Sequence, residues 1–379
     1  MESPPLLEQI LLRPDEYIGS VEKQTQMLWE YESFPMMRRA VTYVPGLQKV
    51  FDEVLVYAAE RKRRDPSMDA LHVEIDVPER RISVYNNAQG IPVVLHKEEG
   101  VYMPEMIFAH LTSSTDTSTG VRLANVFSTE FIIETADACR LKKYKQVFSE
   151  NMGRRSEPEI TDCKKGENWT RITFKPDLAK FNLTHFERDV IALMRKRVFD
   201  VAAMLGETVH VVLDGQRLPL KDFSTYVDWH IISAKKNRPV EELPRICEKV
   251  NDQWEVCLSL SEGQFEQVSF VNGIATIRGG THVDYIANKI ATHVMNFVND
   301  KCNNFTAQLH DVKRHMWIFV NARIENPAFD SPTKEFLTTH VESFGSNNCD
   351  FSDIFLNKVI NCGLLYDMFA PVKSKAGRR

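Results

Sequence analysis

Three short segments of this sequence carry side chains that could do chemistry together. Glu53 lies in a stretch where Leu47, Val50, Phe51, Val54, Leu55 and Ala58 recur at helical spacing, and Tyr57 follows it by four residues on the same helical face. A carboxylate held this way can orient a water molecule and take its proton. Tyr85-Asn86-Asn87-Ala88-Gln89-Gly90-Ile91-Pro92 is a polar strand end running into a glycine turn, and Leu111-Thr112-Ser113-Ser114-Thr115 is a cluster of hydroxyls. Taken singly, each has an ordinary reading. An acid on a helix is usually solvated, Asn-Asn before glycine usually makes a turn, and a Ser/Thr cluster usually caps a helix or forms a loop.

The elements that must position these segments follow from local pattern. The helix runs over roughly 47–63, starts after Pro45-Gly46, and ends in the basic run Arg61-Lys62-Arg63-Arg64 before Asp65-Pro66. Cations suit a helix C-terminus; the run also has the composition of a nuclear import signal, but the helix end is the better reading. Alternation at Leu71, Val73, Ile75 and Val77, then at Ile82 and Val84, predicts a hairpin turning at residues 78–81. Further strands are expected over 127–135, 143–149 and 169–175, a helix over 184–204, and a hairpin at Asp214-Gly215. Residues 1–20 read as an extended arm with a turn at Arg13-Pro14-Asp15. A polar stretch over 220–245, containing AKKNRPVEELP, marks a domain boundary; WEVCLSLSEG, FEQVSFVNGIATI and HMWIFVNARI beyond it are strands, and THVDYIANKIATHVMNFVND is a helix.

At 379 residues, 43% of them hydrophobic and 26% charged, the chain reads as two domains or three of ordinary globular composition. The net charge of −5 does not indicate a globally basic nucleic-acid binder, though a local basic channel is compatible with it. No apolar run reaches the roughly 20 residues that cross a bilayer, and the acids in MESPPLLEQILLRPDEY argue against a secretory signal. Cys139, Cys163, Cys247, Cys257, Cys302, Cys349 and Cys362 are scattered without a CxxC pair, which suggests reduced thiols. His310 and His315 lack a nearby acid or cysteine at ligand spacing, so no transition-metal site is expected.

Together, the three segments resemble the adenine-nucleotide site of the gyrase, heat-shock-90, histidine-kinase and MutL superfamily. A sharper resemblance covers residues 8–370. LLRPDEYIGS, YVPGLQKVFDEVLV, GIPV, PEMIF, FSTEFIIETAD, RLKKYKQVF, RVFDVA, SFVNGIATIRGGTHVDY and NPAFDSPTKEFLTT are similar to the ATPase region of eukaryotic type II DNA topoisomerases, the plant versions most of all. The resemblance implies an α+β fold of two domains. Residues 21–222, after the 1–20 arm, would form an ATPase-like sandwich with a mixed, mostly antiparallel sheet, and residues 223–379 a transducer-like domain of strands and helices.

The resemblance also implies roles. Glu53 matches the general base, Asn86 the asparagine beside the adenine pocket, Ser113 and Ser114 hydroxyls near ribose and phosphates, and Lys334 the transducer lysine on the γ-phosphate. Thr112, Gly90, Gly120 and Arg122 fall within the same nucleotide-binding segments. The departures weaken the site. Thr115 replaces an Asn. Tyr57 stands where the family has the Asn that ligates Mg²⁺, and a phenol is a poor ligand for that ion. Arg61 replaces another Asn and Ala88 a Gly, and one Leu before Thr112 is missing. The long glycine-rich phosphate lid is shortened to TDTSTGVR, with Arg122 near the place of the lid lysine and Gly120 as its glycine. Pro332 replaces the Gln of Gln-Thr-Lys, removing a side-chain amide and a backbone donor.

The implied cofactors are ATP and Mg²⁺, with binding weakened here, and the implied assembly is a homodimer through the ATPase domains or a heterodimer with a full-length topoisomerase. Lys235, Lys236, Arg238, Arg278 and the tail KSKAGRR would suit weak, non-specific DNA contact, or simply a solvated loop and tail. No membrane partner is expected, and the resemblance places the chain in the nucleus. The DNA-cleaving tyrosine and acidic module of the family lie beyond the transducer, so the chain is expected to be unable to cut DNA by itself. Two functions remain open at this point: an ATP-operated gate with weak or absent hydrolysis, and a non-catalytic dimerisation module or decayed gene copy.

Overall fold

The computed structural model describes residues 5–111, 119–234, 243–301, 306–345 and 349–369. The chain divides into two compact units, Met1–Tyr226 with Ser331–Thr333, and Val227–Asp330 with Lys334–Arg379.

The first unit opens with α1 (Leu6–Leu12) and α2 (Pro14–Ile18), followed by a two-stranded ribbon of β1 (Gln24–Glu30) and β2 (Met37–Tyr43). The expected extended arm is therefore largely helical. Leu7, Ile10 and Leu11 share a helical face, Ile10 and Ile18 are buried, and Pro14 takes the first position of α2, where its missing N–H is no loss. α3 (Pro45–Arg64) follows as expected, with Leu47, Val50, Phe51, Val54, Leu55 and Ala58 all buried. Its basic end is tied into the fold, since Lys62 donates to the carbonyls of Pro66 and Met68, both at 2.8 Å.

β3 (Ala70–Asp76) and β4 (Arg81–Asn86) make the expected hairpin, with Leu71 opposite Asn86 and Asp76 opposite Arg81. Next come α4 (Met103–Ala109), α5 (Thr119–Val126), β5 (Ser128–Asp137), β6 (Lys142–Ser149), β7 (Arg154–Arg155), β8 (Glu159–Asp162), β9 (Trp169–Pro176), α6 (Arg188–Leu205), β10 (His210–Leu213) and β11 (Gln216–Arg217). The strands form one sheet in the order β11-β10-β3-β4-β9-β5-β6-β7, with β8 also on β6. β10 and β3 run parallel and the other pairs antiparallel. Asp214 and Gly215 join β10 to β11 with φ of 49° and 80°, the two left-handed residues that a tight hairpin needs. Val73, Ile75, Ile82, Val84, Phe131, Ile133, Ile172 and Phe174 bury one face of the sheet, and α3 packs against α5, α6 and β4.

The division between the units falls within α7 (Phe223–Ser233). The second unit holds β12 (Ile246–Lys249), β13 (Trp254–Leu260), β14 (Glu266–Val271), β15 (Ile274–Ala275), α8 (Thr281–Lys301), α9 (Leu309–Lys313), β16 (Met316–Ala322), α10 (Asp353–Ile360) and α11 (Leu364–Phe369). Its sheet runs β12-β13-β16-β14-β15. Val283, Ile286, Ile290 and Val294 of α8 are buried. The architecture of the chain is α+β.

The expectation of reduced, unpaired cysteines is corrected at one pair. Cys247 on β12 and Cys257 on β13 lie opposite each other and are joined by a disulfide. Ten residues of separation hid a pairing that the β12–β13 register creates. Cys139, Cys163, Cys349 and Cys362 are free thiols, and Cys302 lies outside the described residues.

Two features of the first unit hold its core in register. The first is a charge network buried among α3, α6 and α7. Arg197 bonds Asp52 at 2.7 Å and Asp200 at 2.9 Å, Lys196 bonds Asp200 at 3.0 Å, and the Tyr226 hydroxyl donates to Asp200 at 2.6 Å. Burial alone would push the Asp200 carboxyl up, but Lys196 and Arg197 outweigh it and hold the group below its ordinary value. The second is a close approach: a Cβ on Gly90 would lie 1.7 Å from the carbonyl oxygen of Ala136 on β5.

Both features predict stability changes measurable by urea unfolding. Arg197→Met leaves two buried carboxylates with one cation and should cost about 3–5 kcal/mol at neutral pH. A carboxyl with a lowered folded pKa stabilises fully above the ordinary carboxylate range, about pH 4, and loses that contribution as pH falls through the folded value. Asp52, the other carboxyl on Arg197, is held above its ordinary value by burial. Losing Arg197 raises both carboxyls further, so the gap between wild type and variant should begin to narrow as pH falls toward the ordinary carboxylate range and go on narrowing below about pH 4. Gly90→Ala should cost about 2–4 kcal/mol, because the obstruction is backbone and cannot swing away.

Candidate functional site

The site residues of the first unit collect where α3 passes the end of β4 and the start of α5. Glu53 lies at the middle of α3, its side chain 14% exposed, with its Oε1 receiving the ammonium of Lys49 one turn earlier. Its Oε2 lies 1.7 Å from the position a Cβ would take at residue 120, so any larger residue there would have to push this carboxylate aside. The N-terminus of α5 presents backbone dipoles of positive sign, which favour the negative charge held there.

Tyr57 follows on the next turn of α3. Its ring meets that of Phe108 on α4 edge-on, with centroids 5.3 Å apart and planes at 73°. Burial pushes the phenol hydroxyl up, and the weaker opposing pull of Arg61 and Arg64 does not reverse this. The group therefore stays protonated at neutral pH. One turn further, Arg61 donates to the backbone carbonyl of Gln89 at 2.8 Å, and Asp65 accepts from the Gln89 N–H at 2.6 Å. The end of α3 thus holds the Asn86–Gly90 segment at both backbone groups of Gln89.

Within that segment Asn86 is 2% exposed, and its Oδ1 accepts the Ala88 N–H at 3.2 Å, the local turn that Asn favours. Asn87 fixes the start of β3 instead, accepting from the N–H groups of Asp69 and Ala70 at 3.0 and 2.9 Å. The chain after Gly90 is laced to β5: Thr135 accepts from Ile91 N–H and Asp137 from Val93 N–H, each at 3.0 Å. Asn168 accepts from Gly90 N–H at 3.3 Å.

The structure thus brings Glu53, Tyr57, Gly120, Asn86 and Gly90 to neighbouring elements of one unit. Arg122 turns elsewhere: on α5 it is 5% exposed, and its guanidinium donates to the carbonyls of Ile107 and Met106 at the end of α4, at 3.0 and 3.4 Å. An arginine that close to a helix C-terminus satisfies carbonyls left open there. Lys334 belongs to the second unit and has φ of 60°. Thr112, Ser113, Ser114 and Thr115 lie outside the described residues, as do Lys235, Lys236, Arg238 and the basic tail.

Lys49, Asp65, Thr135 and Asp137 are missing from the expected site residues. Lys49 was legible as an i, i+4 partner of Glu53, whereas the others act across strands and loops far apart in sequence. The chemistry of the donor set does not fit Mg²⁺ at residue 57, because a protonated phenol packed on an aromatic ring is not the compact oxygen donor the ion requires. Among the described residues no group of three His, Cys, Asp or Glu side chains could hold a metal. Glu53, by contrast, is a carboxylate of the kind that can orient a water, with Lys49 holding one of its oxygens.

Comparison with known proteins gives this geometry a family. Residues 220–350 match the family model for DNA gyrase B. The chain is 57% identical to DNA topoisomerase 2 of Arabidopsis thaliana over 96% of its length, and 46% identical to human DNA topoisomerase 2-alpha over 98%. It spans about a quarter of the length of these relatives, 26% and 25%. Among solved structures it is similar to the ATPase region of Saccharomyces cerevisiae topoisomerase II, with TM-score 0.88, 40% identity, and coverage of 97% of this chain and 98% of that one. It is similar too to the ATPase and transducer domains of Balamuthia mandrillaris DNA topoisomerase II, with TM-score 0.89, 39% identity, and coverage of 97% and 96%. A match along both whole chains at such identity leaves one conclusion: the chain belongs to the type II DNA topoisomerase family and corresponds to its ATPase region.

Proposed function

We propose that this chain is a nucleotide-binding gate of the topoisomerase kind in which ATP hydrolysis is weak or absent. The observation that carries the reading is Tyr57, a protonated phenol packed edge-on against Phe108 where the family has its Mg²⁺-ligating Asn. Removing one element of electrostatic stabilisation typically lowers a rate by about 10²–10³. The missing metal ligand, and an Arg122 guanidinium bonded to the α4 carbonyls, reduce the stabilisation of a transferring phosphoryl group.

On this reading the adenine lies beside Asn86, the ribose and phosphates near Ser113 and Ser114, and the γ-phosphate is answered by Lys334. Glu53 orients a water and accepts its proton, while Lys49 holds the carboxylate in place. Bound ATP would supply the triphosphate charge that distinguishes the closed gate from the open one. The arm, ATPase-like and transducer-like domains are assigned to 1–20, 21–222 and 223–379. The partner is a second copy through the ATPase-like domain, or a full-length topoisomerase subunit. DNA contact is weak and without sequence preference, and the compartment is the nucleus. Among the described residues no helix is long and apolar enough to cross a membrane.

Titration calorimetry with a non-hydrolysable ATP analogue and Mg²⁺, paired with a phosphate-release assay, tests the reading. Wild type should bind the analogue and release phosphate near the background rate. Lys334→Ala should weaken binding, and Tyr57→Asn should make it Mg²⁺-dependent. Turnover at the rate of an intact topoisomerase ATPase would overturn weak hydrolysis. Absence of binding in wild type and in Tyr57→Asn would favour the non-catalytic interaction module, for which Arg122's use as a structural cap already speaks.

A further inference from the structure

The segment around Lys334 is held in an unusual way. Residues 336–339 are hydrogen-bonded on both sides. Leu337 N–H donates to Gly279 and Thr281 N–H to Leu337, each at 3.1 Å, while Asp330 N–H donates to Phe336 at 3.1 Å and Thr338 N–H to Ala328 at 2.9 Å. Gly280 permits this pairing, since a Cβ there would lie 2.5 Å from the backbone N and O of Leu337. Lys334 therefore sits in a short excursion whose two stems are fixed.

Arg278 spans those stems. Its guanidinium pairs with Asp330 before the excursion and with Glu335 after it, and its own N–H donates to the Glu335 carbonyl at 3.1 Å. Within the excursion Lys334 has φ of 60°, a left-handed conformation that is uncommon for a residue with a Cβ, though nine other non-glycine residues among those described share it. The fixed stems and the cross-link between them point to a lysine whose place in the chain is set. No assigned role of this chain uses Arg278, which the sequence offered only as a basic residue for DNA.

We propose that Arg278 is the positioning residue for Lys334: by bridging Asp330 and Glu335 it fixes the segment that carries Lys334 before any nucleotide arrives. The functional weight of this clamp rests on the nucleotide reading above, while the clamp itself does not. Arginine suits the task because its planar fork reaches two carboxylates at once, which a lysine's single ammonium does less well. The three side chains are 50%, 30% and 16% exposed, so the clamp is a surface pair and its effect is modest.

Limited proteolysis with a lysine-specific endoproteinase, read by mass spectrometry, tests this without disturbing the cleavage sites. Cleavage after Lys334 is compared with cleavage after Lys358 on α10 in the same preparation. Arg278→Ala should raise the Lys334 rate about three- to tenfold while Lys358 is unchanged, and Arg278→Lys should fall between. An unchanged Lys334 rate, or a parallel rise at both lysines, would overturn the proposal. Adding the non-hydrolysable ATP analogue with Mg²⁺ to wild type separates the two ideas. Protection of Lys334 supports its role at nucleotide. Lack of protection beside a selective Arg278→Ala effect keeps the clamp and removes the nucleotide reading.

Discussion

The arrangement depends on one helix doing two jobs at a fixed period. α3 must bury Leu47, Val50, Phe51, Val54, Leu55 and Ala58 against the sheet and its neighbouring helices. The same 3.6-residue turn then places Lys49, Glu53, Tyr57 and Arg61 one above another on a second face. Neither set can move without the other. A slip of the helix that relieved the site would expose the core, and this is why chemistry at Glu53 and packing at Phe51 are one constraint. Asp52 extends it inward: through Arg197 it ties α3 to Asp200 of α6 and to the Tyr226 hydroxyl of α7.

Charge is handled by local neutralisation. Around Asp200 two cations and two carboxylates lie together, which keeps the desolvation of each tolerable. Glu53 is answered by Lys49 and by the start of α5, with Gly120 leaving just enough room. The Lys49–Glu53 pair also shapes what the carboxylate can do. The ammonium holds one carboxylate oxygen and leaves the other toward the start of α5.

Local pattern made part of this legible. The α3 face, the β3–β4 hairpin and the Asp214-Gly215 turn are encoded by spacing and turn chemistry within a few residues, and each forms as expected. What was not legible depends on residues far apart. The Cys247–Cys257 bond requires the β12–β13 register, the lacing of residues 90–93 to Thr135 and Asp137 requires β5 to lie alongside, and Arg122 finds the end of α4 only once α5 is folded. The arm was misread because a proline after Arg13 suggested a break, although it starts a second helix. Arg278 had no local pattern to distinguish it from any other exposed base.

A gate and a motor ask different things of a nucleotide site. A ligand closes a two-state gate to the extent that it binds the closed state more tightly, and moving such a gate from mostly open to mostly closed takes a ratio of about 10⁴ in affinity. Hydrolysis is not needed for that step; it is needed to reopen the gate by replacing one ligand with others of lower differential affinity. The features in this chain divide along that line. On the proposed reading, Lys334 in its clamped excursion serves recognition of the nucleotide, while Glu53 with its fixed partner serves the chemical step. Tyr57, where that reading places the metal ligand, serves the same chemical step and is altered. On the proposed reading, then, closure survives and reopening depends on the slow departure of unhydrolysed nucleotide.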